Sequence, residues 1–178
     1  MAQGKIHTAG QVTRSGIFGP TLCGKTTLAA ALAESTFRNH KRACFVLDPH
    51  LEKWPEHCKV TDNEEKFWPD IWKANDSLII VEEASATLRR EREFVPVFTR
   101  LRHLGHDLIV IGHSGADLLP VQRQQFTVLY LFRQPESAAK IWAETFADDR
   151  IYEATTLRQF EFLHVEMFQP PKRSILKL

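Results

Sequence analysis

Residues 19–27 read GPTLCGKTT, two glycines bracketing four variable residues and followed by a lysine and two threonines. The spacing fits G-x-x-x-x-G-K-[ST] without a mismatch at Gly19, Gly24, Lys25 and Thr26. A loop of this kind wraps backbone N–H groups around phosphate oxygens at a helix N-terminus, where the helix dipole also favours an anion. The flanks agree with that reading. Residues 15–18 (SGIF) can end a short strand, and the Ala- and Leu-rich run from Thr26 is a strong helix former. The whole stretch Gly19, Pro20, Thr21, Leu22, Cys23, Gly24, Lys25, Thr26 and Thr27 is therefore the expected nucleotide cradle. Lys25 is placed to reach the β- and γ-phosphates and the Thr26 hydroxyl to hold Mg²⁺. Cys23 reads as a small filler within the loop.

Outward from this loop, short apolar runs alternate with helical patterns. Residues 42–48 (RACFVLD), 77–82 (SLIIVE), 107–112 (DLIVIG) and 126–132 (FTVLYLF) read as buried strands. Helical spacing covers 26–39, 64–73, 95–103 and 136–146, with Gly105 as the terminator of the third. Residues 160–167 (FEFLHVEM) alternate as a last, edge strand. Strands alternating with helices predict an α/β fold: a mainly parallel central sheet with helices on both faces. The expected organisation is a single domain over 1–168, followed by a basic, proline-containing tail, 169–178, that extends away as an arm.

A second acidic feature suits the phosphate loop. Four apolar residues lead into Glu82 and Glu83, at the C-terminal end of a predicted buried strand, where ligands bind in parallel sheets. Neighbouring positions on an extended chain face opposite ways, so Glu82 is assigned to the Mg²⁺ shell and Glu83 to the attacking water, as general base or orienter.

Composition bounds the rest. In 178 residues, 23 Lys and Arg balance 22 Asp and Glu, so DNA contact requires a local patch rather than a global positive field. Three cysteines fit a reducing compartment. Cys44, His50, His57 and Cys58 lack the spacing of a paired-ligand metal motif, and no structural metal is expected. No stretch approaches the ~18 apolar residues of a membrane span. A soluble protein without membrane insertion is expected.

Taken in order, the phosphate loop, the strand end IIVEEA, residues 100–118 (RLRHLGHDLIVIGHSGADL) and residues 119–126 (LPVQRQQF) resemble the HerA/FtsK superfamily of P-loop ATPases. Within that superfamily they resemble the genome-packaging ATPases of tailless, membrane-containing double-stranded DNA viruses. The resemblance runs from Gly19 to about Phe132 and implies a RecA-like P-loop NTPase fold, with ATP and Mg²⁺ as cofactors. It further implies a homo-oligomeric ring that moves double-stranded DNA into a preformed capsid. A capsid or membrane protein of the virion would dock it, in the host cytoplasm or on the virion.

The resemblance places a polar sensor at His113, an arginine before a glycine at Arg102, and a short helical segment containing the basic residue Arg123. It implies an arginine acting in trans, with Arg102 first and Arg123 second; Arg100, Arg89, Arg90 and Arg92 are further candidates. The chain departs from the pattern twice, with Glu82 where the family usually has Asp and His113 where it usually has Gln. Two other readings stay open from the residues: a small nucleotide or metabolite kinase with residues 133–140 (RQPESAAK) as a lid fragment, and an assembly protein that uses ATP only to set oligomeric state.

Overall fold

A computed structural model describes residues 12–88 and 92–177. Its strands are β1 (Arg14–Phe18), β2 (Ala43–Leu47), β3 (Cys58–Thr61), β4 (Ser77–Val81), β5 (Asp107–Gly112), β6 (Val128–Phe132), β7 (Glu161–Glu166) and β8 (Lys172–Ile175). They form one sheet in the order β3-β2-β4-β5-β1-β6-β7-β8. The pairs from β3 through β6 are parallel, and β6-β7 and β7-β8 are antiparallel. The helices are α1 (Lys25–His40), α2 (Glu64–Lys73), α3 (Ala84–Thr87), α4 (Val95–Thr99), α5 (Pro120–Arg123) and α6 (Glu136–Phe146).

Strand alternation sorts the apolar side chains into two cores, one on each face. Ile79, Val81, Leu108 and Val110 join Phe67 and Ile71 of α2 and Trp142 of α6 on one side. Leu78, Ile80, Ile109 and Ile111 join Leu28, Ala29 and Ala33 of α1 on the other. Both faces of the central strands are thus covered, which explains why β1 and β4 are buried at every position and read as continuous apolar runs. The predicted α/β class, parallel centre and two-sided helix cover agree with this arrangement.

Five expectations need correction. Residues 160–167 supply β7, but β7 is neither last nor at an edge. Beyond it β8 pairs in antiparallel register, with Phe162 opposite Ser174 and Leu163 opposite Arg173. The segment expected as an extended arm is therefore tied to the domain, and the Arg173 guanidinium bonds Glu161 at 2.5 Å. The third helical pattern breaks in two: α4 ends at Thr99, and a 3₁₀ turn over Leu101–Leu104 follows, closed by Gly105 at φ 77°. The presumed lid fragment 133–140 is the entry to α6, where Ala138 and Ala139 are buried. Finally, β3 and the 3₁₀ run Asp149–Thr156 lie where no element was expected.

Candidate nucleotide site

The parallel order brings the C-terminal ends of β1, β4 and β5 together. Between them opens a cavity of about 660 Å³, lined by the loop residues Thr21, Leu22, Gly24, Lys25, Thr26 and Thr27 and by Glu82, Glu83 and His113. The loop leaves β1, and its Gly19 N–H donates to the Gly112 carbonyl at the end of β5 (3.3 Å). Gly24 caps α1 at φ 101°, a left-handed conformation that side chains rarely adopt. A Cβ there would also lie 2.7 Å from Leu176 Cδ2, so the segment after β8 packs directly on the loop.

Lys25 Nζ donates to the Pro20 carbonyl at 2.8 Å, closing the loop on itself. The Thr26 hydroxyl donates to Glu82 Oε1 at 3.0 Å. Burial pushes the Glu82 carboxyl up to about 7. The Thr26 hydrogen bond and Lys25 work against that shift, while Asp48 and Glu52 add to it. Two hard oxygen donors side by side, one a carboxylate whose charge is costly in its surroundings, suit a small divalent cation. On donor chemistry, Thr26 and Glu82 fit Mg²⁺.

Without metal, this has a consequence for stability. The unfolded chain ionises Glu82 near its ordinary 4.5, whereas the folded chain keeps the proton to about 7, so stability falls as pH rises through that window. Glu82→Gln should remove the fall, leaving the variant more stable than the parent by about 3 kcal/mol at pH 8 and indistinguishable at pH 4. Urea titrations in EDTA at the two pH values measure the difference, and equal gaps at both would contradict the assignment.

Glu83 does not continue the strand alternation. Its backbone turns left-handed (φ 52°, ψ 64°) ahead of α3, so Glu82 and Glu83 both line the cavity, each with its own partner. Glu83 Oε2 lies 2.6 Å from His50 Nε2, and this carboxylate raises the affinity of the exposed His50 for its proton. His50 sits on a loop built around the fully buried Asp48. The Asp48 carboxylate accepts from His50 N–H (2.9 Å), Glu52 N–H (2.8 Å) and Trp54 Nε1 (2.9 Å). Sequence spacing gave no reason to bring His50 to Glu83; strand order does, by laying β2 beside β4. Gln159 and Phe160 also line the cavity without a local signal.

The remaining candidates divide clearly. His113 follows β5 and faces the cavity. Arg102 stands exposed before β5, at the opposite end of the sheet, where its charge joins burial in lowering the proton affinity of the Arg14 guanidinium. Six residues of strand put it roughly 20 Å from the cavity, beyond reach of its own site. Arg123 is turned inward, donating from Nη1 to the Gly115 (2.9 Å) and Leu118 (2.7 Å) carbonyls, and so buckles the segment after His113. Arg100 lies over the Trp72 ring at 5.9 Å. Arg89, Arg90 and the side chain of Arg92 lie outside the described residues. Cys23 is buried, which raises its thiol above the ordinary value and agrees with a filler rather than a reactive thiolate.

The architecture has clear counterparts among solved structures. The genome packaging NTPase B204 of Sulfolobus turreted icosahedral virus 2, in complex with AMPPCP, superposes with a TM-score of 0.78 at 18% identity, over 94% of this chain and 98% of that one. The fold is that of the P-loop NTPases. B204 of Sulfolobus turreted icosahedral virus, a DNA-packaging ATPase, gives 0.74 at 20% identity over 90% and 96% of the two chains. The cytoplasmic domain of the type VII secretion ATPase EccC of Thermomonospora curvata gives 0.65 at 15% identity, over 91% of this chain and 25% of that one. No family model matches the chain, and no curated protein matches it in sequence. Residues 19–24 connect β1 to α1, and β4 runs directly into Glu82 and Glu83. Among the described residues, no helix is long and apolar enough to cross a membrane.

Proposed function

We propose that this chain is an ATP-hydrolysing motor that drives double-stranded DNA into a viral capsid. The observation that carries the proposal is the convergence of Lys25, Thr26, Glu82, Glu83 and His113 on one cavity. The fold that holds them is shared along nearly its whole length with B204.

Each residue has a step. Lys25 exchanges the Pro20 carbonyl for the β- and γ-phosphate oxygens. Thr26 and Glu82 would hold Mg²⁺, which when bound neutralises charge on the phosphates. Glu83 orients a water against the γ-phosphorus and takes its proton as the P–O bond forms and the bridging oxygen leaves with ADP. His50 positions the Glu83 carboxylate. His113, at the end of β5, faces the γ-phosphate and registers its loss.

An arginine from a neighbouring copy would complete the site, and Arg102, exposed and remote from its own cavity, is best placed to be that residue. This makes a homo-oligomeric ring the working form, docked by a capsid or membrane protein of the virion, in the host cytoplasm or on the virion itself. With net charge near zero, DNA contact falls to local basic groups, so binding should weaken steeply with salt.

Steady-state ATP hydrolysis should rise several-fold on adding duplex DNA at low salt, and the stimulation should fade as salt is raised. Turnover that ignores DNA at low salt would remove the motor reading and leave an ATP-dependent assembly protein. Transfer of phosphate to a small acceptor would support the kinase reading instead.

A further inference from the structure

Cys44 on β2 and Cys58 on β3 stand directly opposite each other in the parallel register at the edge of the sheet. Neighbouring strands lie about 4.8 Å apart, inside the roughly 4.4–6.8 Å between Cα atoms that a disulfide spans. Side chains paired in this way leave the same face, and both thiols belong to the core beneath α1, Cys44 within it and Cys58 packed against it. Neither lines the nucleotide cavity. We propose that Cys44 and Cys58 form a peroxide-reactive dithiol that closes to a disulfide, a covalent clasp between β2 and the outer strand β3.

The two sulfurs are unequal in access. β3 is the outer strand, and Cys58 on it is half-buried, whereas Cys44 is 2% exposed. An oxidant therefore meets Cys58 first, and Cys44 has only to reach Cys58. The Cys44 S–H donates to the Cys58 sulfur, which holds the Cys58 thiol below its ordinary value against burial and the Glu34 carboxylate; the same bond, joined by burial, pushes Cys44 up. Thiolate character thus falls on the accessible sulfur. Cys23, the third cysteine, is buried with its thiol raised by that burial, and should react slowest.

The step balances with a hydroperoxide as oxidant. The Cys58 thiolate attacks one peroxide oxygen, the O–O bond breaks, and the second oxygen leaves with a proton as water or alcohol, giving a sulfenic acid. Cys44 then attacks the Cys58 sulfur. Its proton goes to the leaving hydroxyl, the S–O bond breaks, water departs and the S–S bond forms. The dithiol is oxidised by two electrons, the peroxide is reduced by two, and thiol reductants reverse the change.

The clasp closes a ring of chain over residues 44–58, the crossover from β2 to β3. That crossover carries Asp48, Trp54 and His50, the residue that meets Glu83. Oxidation should steady this edge of the sheet and raise the unfolding temperature by roughly 5 °C.

The test needs neither nucleotide nor turnover, so it stands apart from the ATPase reading. Native protein given a small excess of hydrogen peroxide, then quenched and denatured in an alkylating agent, should lose two of its three free thiols. Non-reducing peptide mapping should find Cys44 joined to Cys58 within one chain, and dithiothreitol should restore both. The pair should react about tenfold or more faster than Cys23. Cys44→Ala should stop at a Cys58 sulfenic acid that dimedone traps. Cys58→Ser should leave Cys44 unmodified and abolish the rise in unfolding temperature.

Retention of all three thiols, a cross-link between chains instead of within one, or oxidation of Cys58 to the sulfinic acid without a cross-link would overturn the proposal and leave the two cysteines as small apolar packing. A cross-linked protein no more stable than the reduced one would overturn the clasp. Cys58→Ser changes the outer strand alone and decides the matter even if Cys44→Ala fails to fold.

Discussion

Glu83→Gln should lower steady-state ATP hydrolysis by about 10²–10⁴-fold while nucleotide affinity stays within a few-fold of the parent. The substitution keeps the size of the side chain and a hydrogen-bonding oxygen for His50, but it removes the carboxylate proposed to accept a proton from water. Its neighbour behaves differently, because Glu82 is bonded to Thr26 and its loss should cost metal-dependent binding first. His50 offers an internal check. It lies 2.6 Å from Glu83 and contributes position rather than proton transfer, so His50→Ala should lower kcat with little change in KM, and His50→Gln should restore part of it. Equal rates for the parent and Glu83→Gln would remove Glu83 from the chemistry.

The second large effect belongs to Arg102. Alanine there should reduce turnover by about 10³-fold or more, the scale of a lost arginine finger, although the residue sits at the far end of β5 from its own cavity. The distinguishing result comes from mixing. Lys25→Ala and Arg102→Ala should each be inactive alone, but if the copies form a ring, mixing them creates some interfaces that pair an intact phosphate loop with an intact arginine, and activity should partly return. No recovery on mixing, with assembly unimpaired, would mean that Arg102 does not act across an interface. Arg123→Ala has a different expected signature: its guanidinium holds the Gly115 and Leu118 carbonyls, so its loss should loosen the segment after His113 and lower thermal stability as well as rate.

The sequence disclosed what is contiguous. The phosphate loop, the buried run ahead of Glu82 and the Ala-rich α1 announce themselves because motif, strand and helix follow one another along the chain. Contacts made by strand order are not visible that way. His50 meets Glu83 because β2 lies beside β4, and Leu176 covers Gly24 because β8 returns antiparallel after β7. The β8 segment hid behind two prolines and three basic residues, and its side chains are largely exposed, so it carries none of the apolar pattern that marks β4. β3 is short and only half-buried for the same reason: it is the outer edge of the sheet. The left-handed turn at Glu83 likewise overturns the alternation expected of an extended chain and brings both carboxylates to one cavity.

The central claim is movement along DNA driven by ATP, and displacement of a third strand from a triplex at the end of a linear duplex measures it most directly. The assembled protein should release the third strand with ATP and Mg²⁺, but not with AMPPCP, and the Glu83→Gln protein should bind the DNA without releasing the strand. If the parent hydrolyses ATP on this DNA and the triplex stays intact, the chain is an ATPase that does not translocate, and the packaging account is wrong.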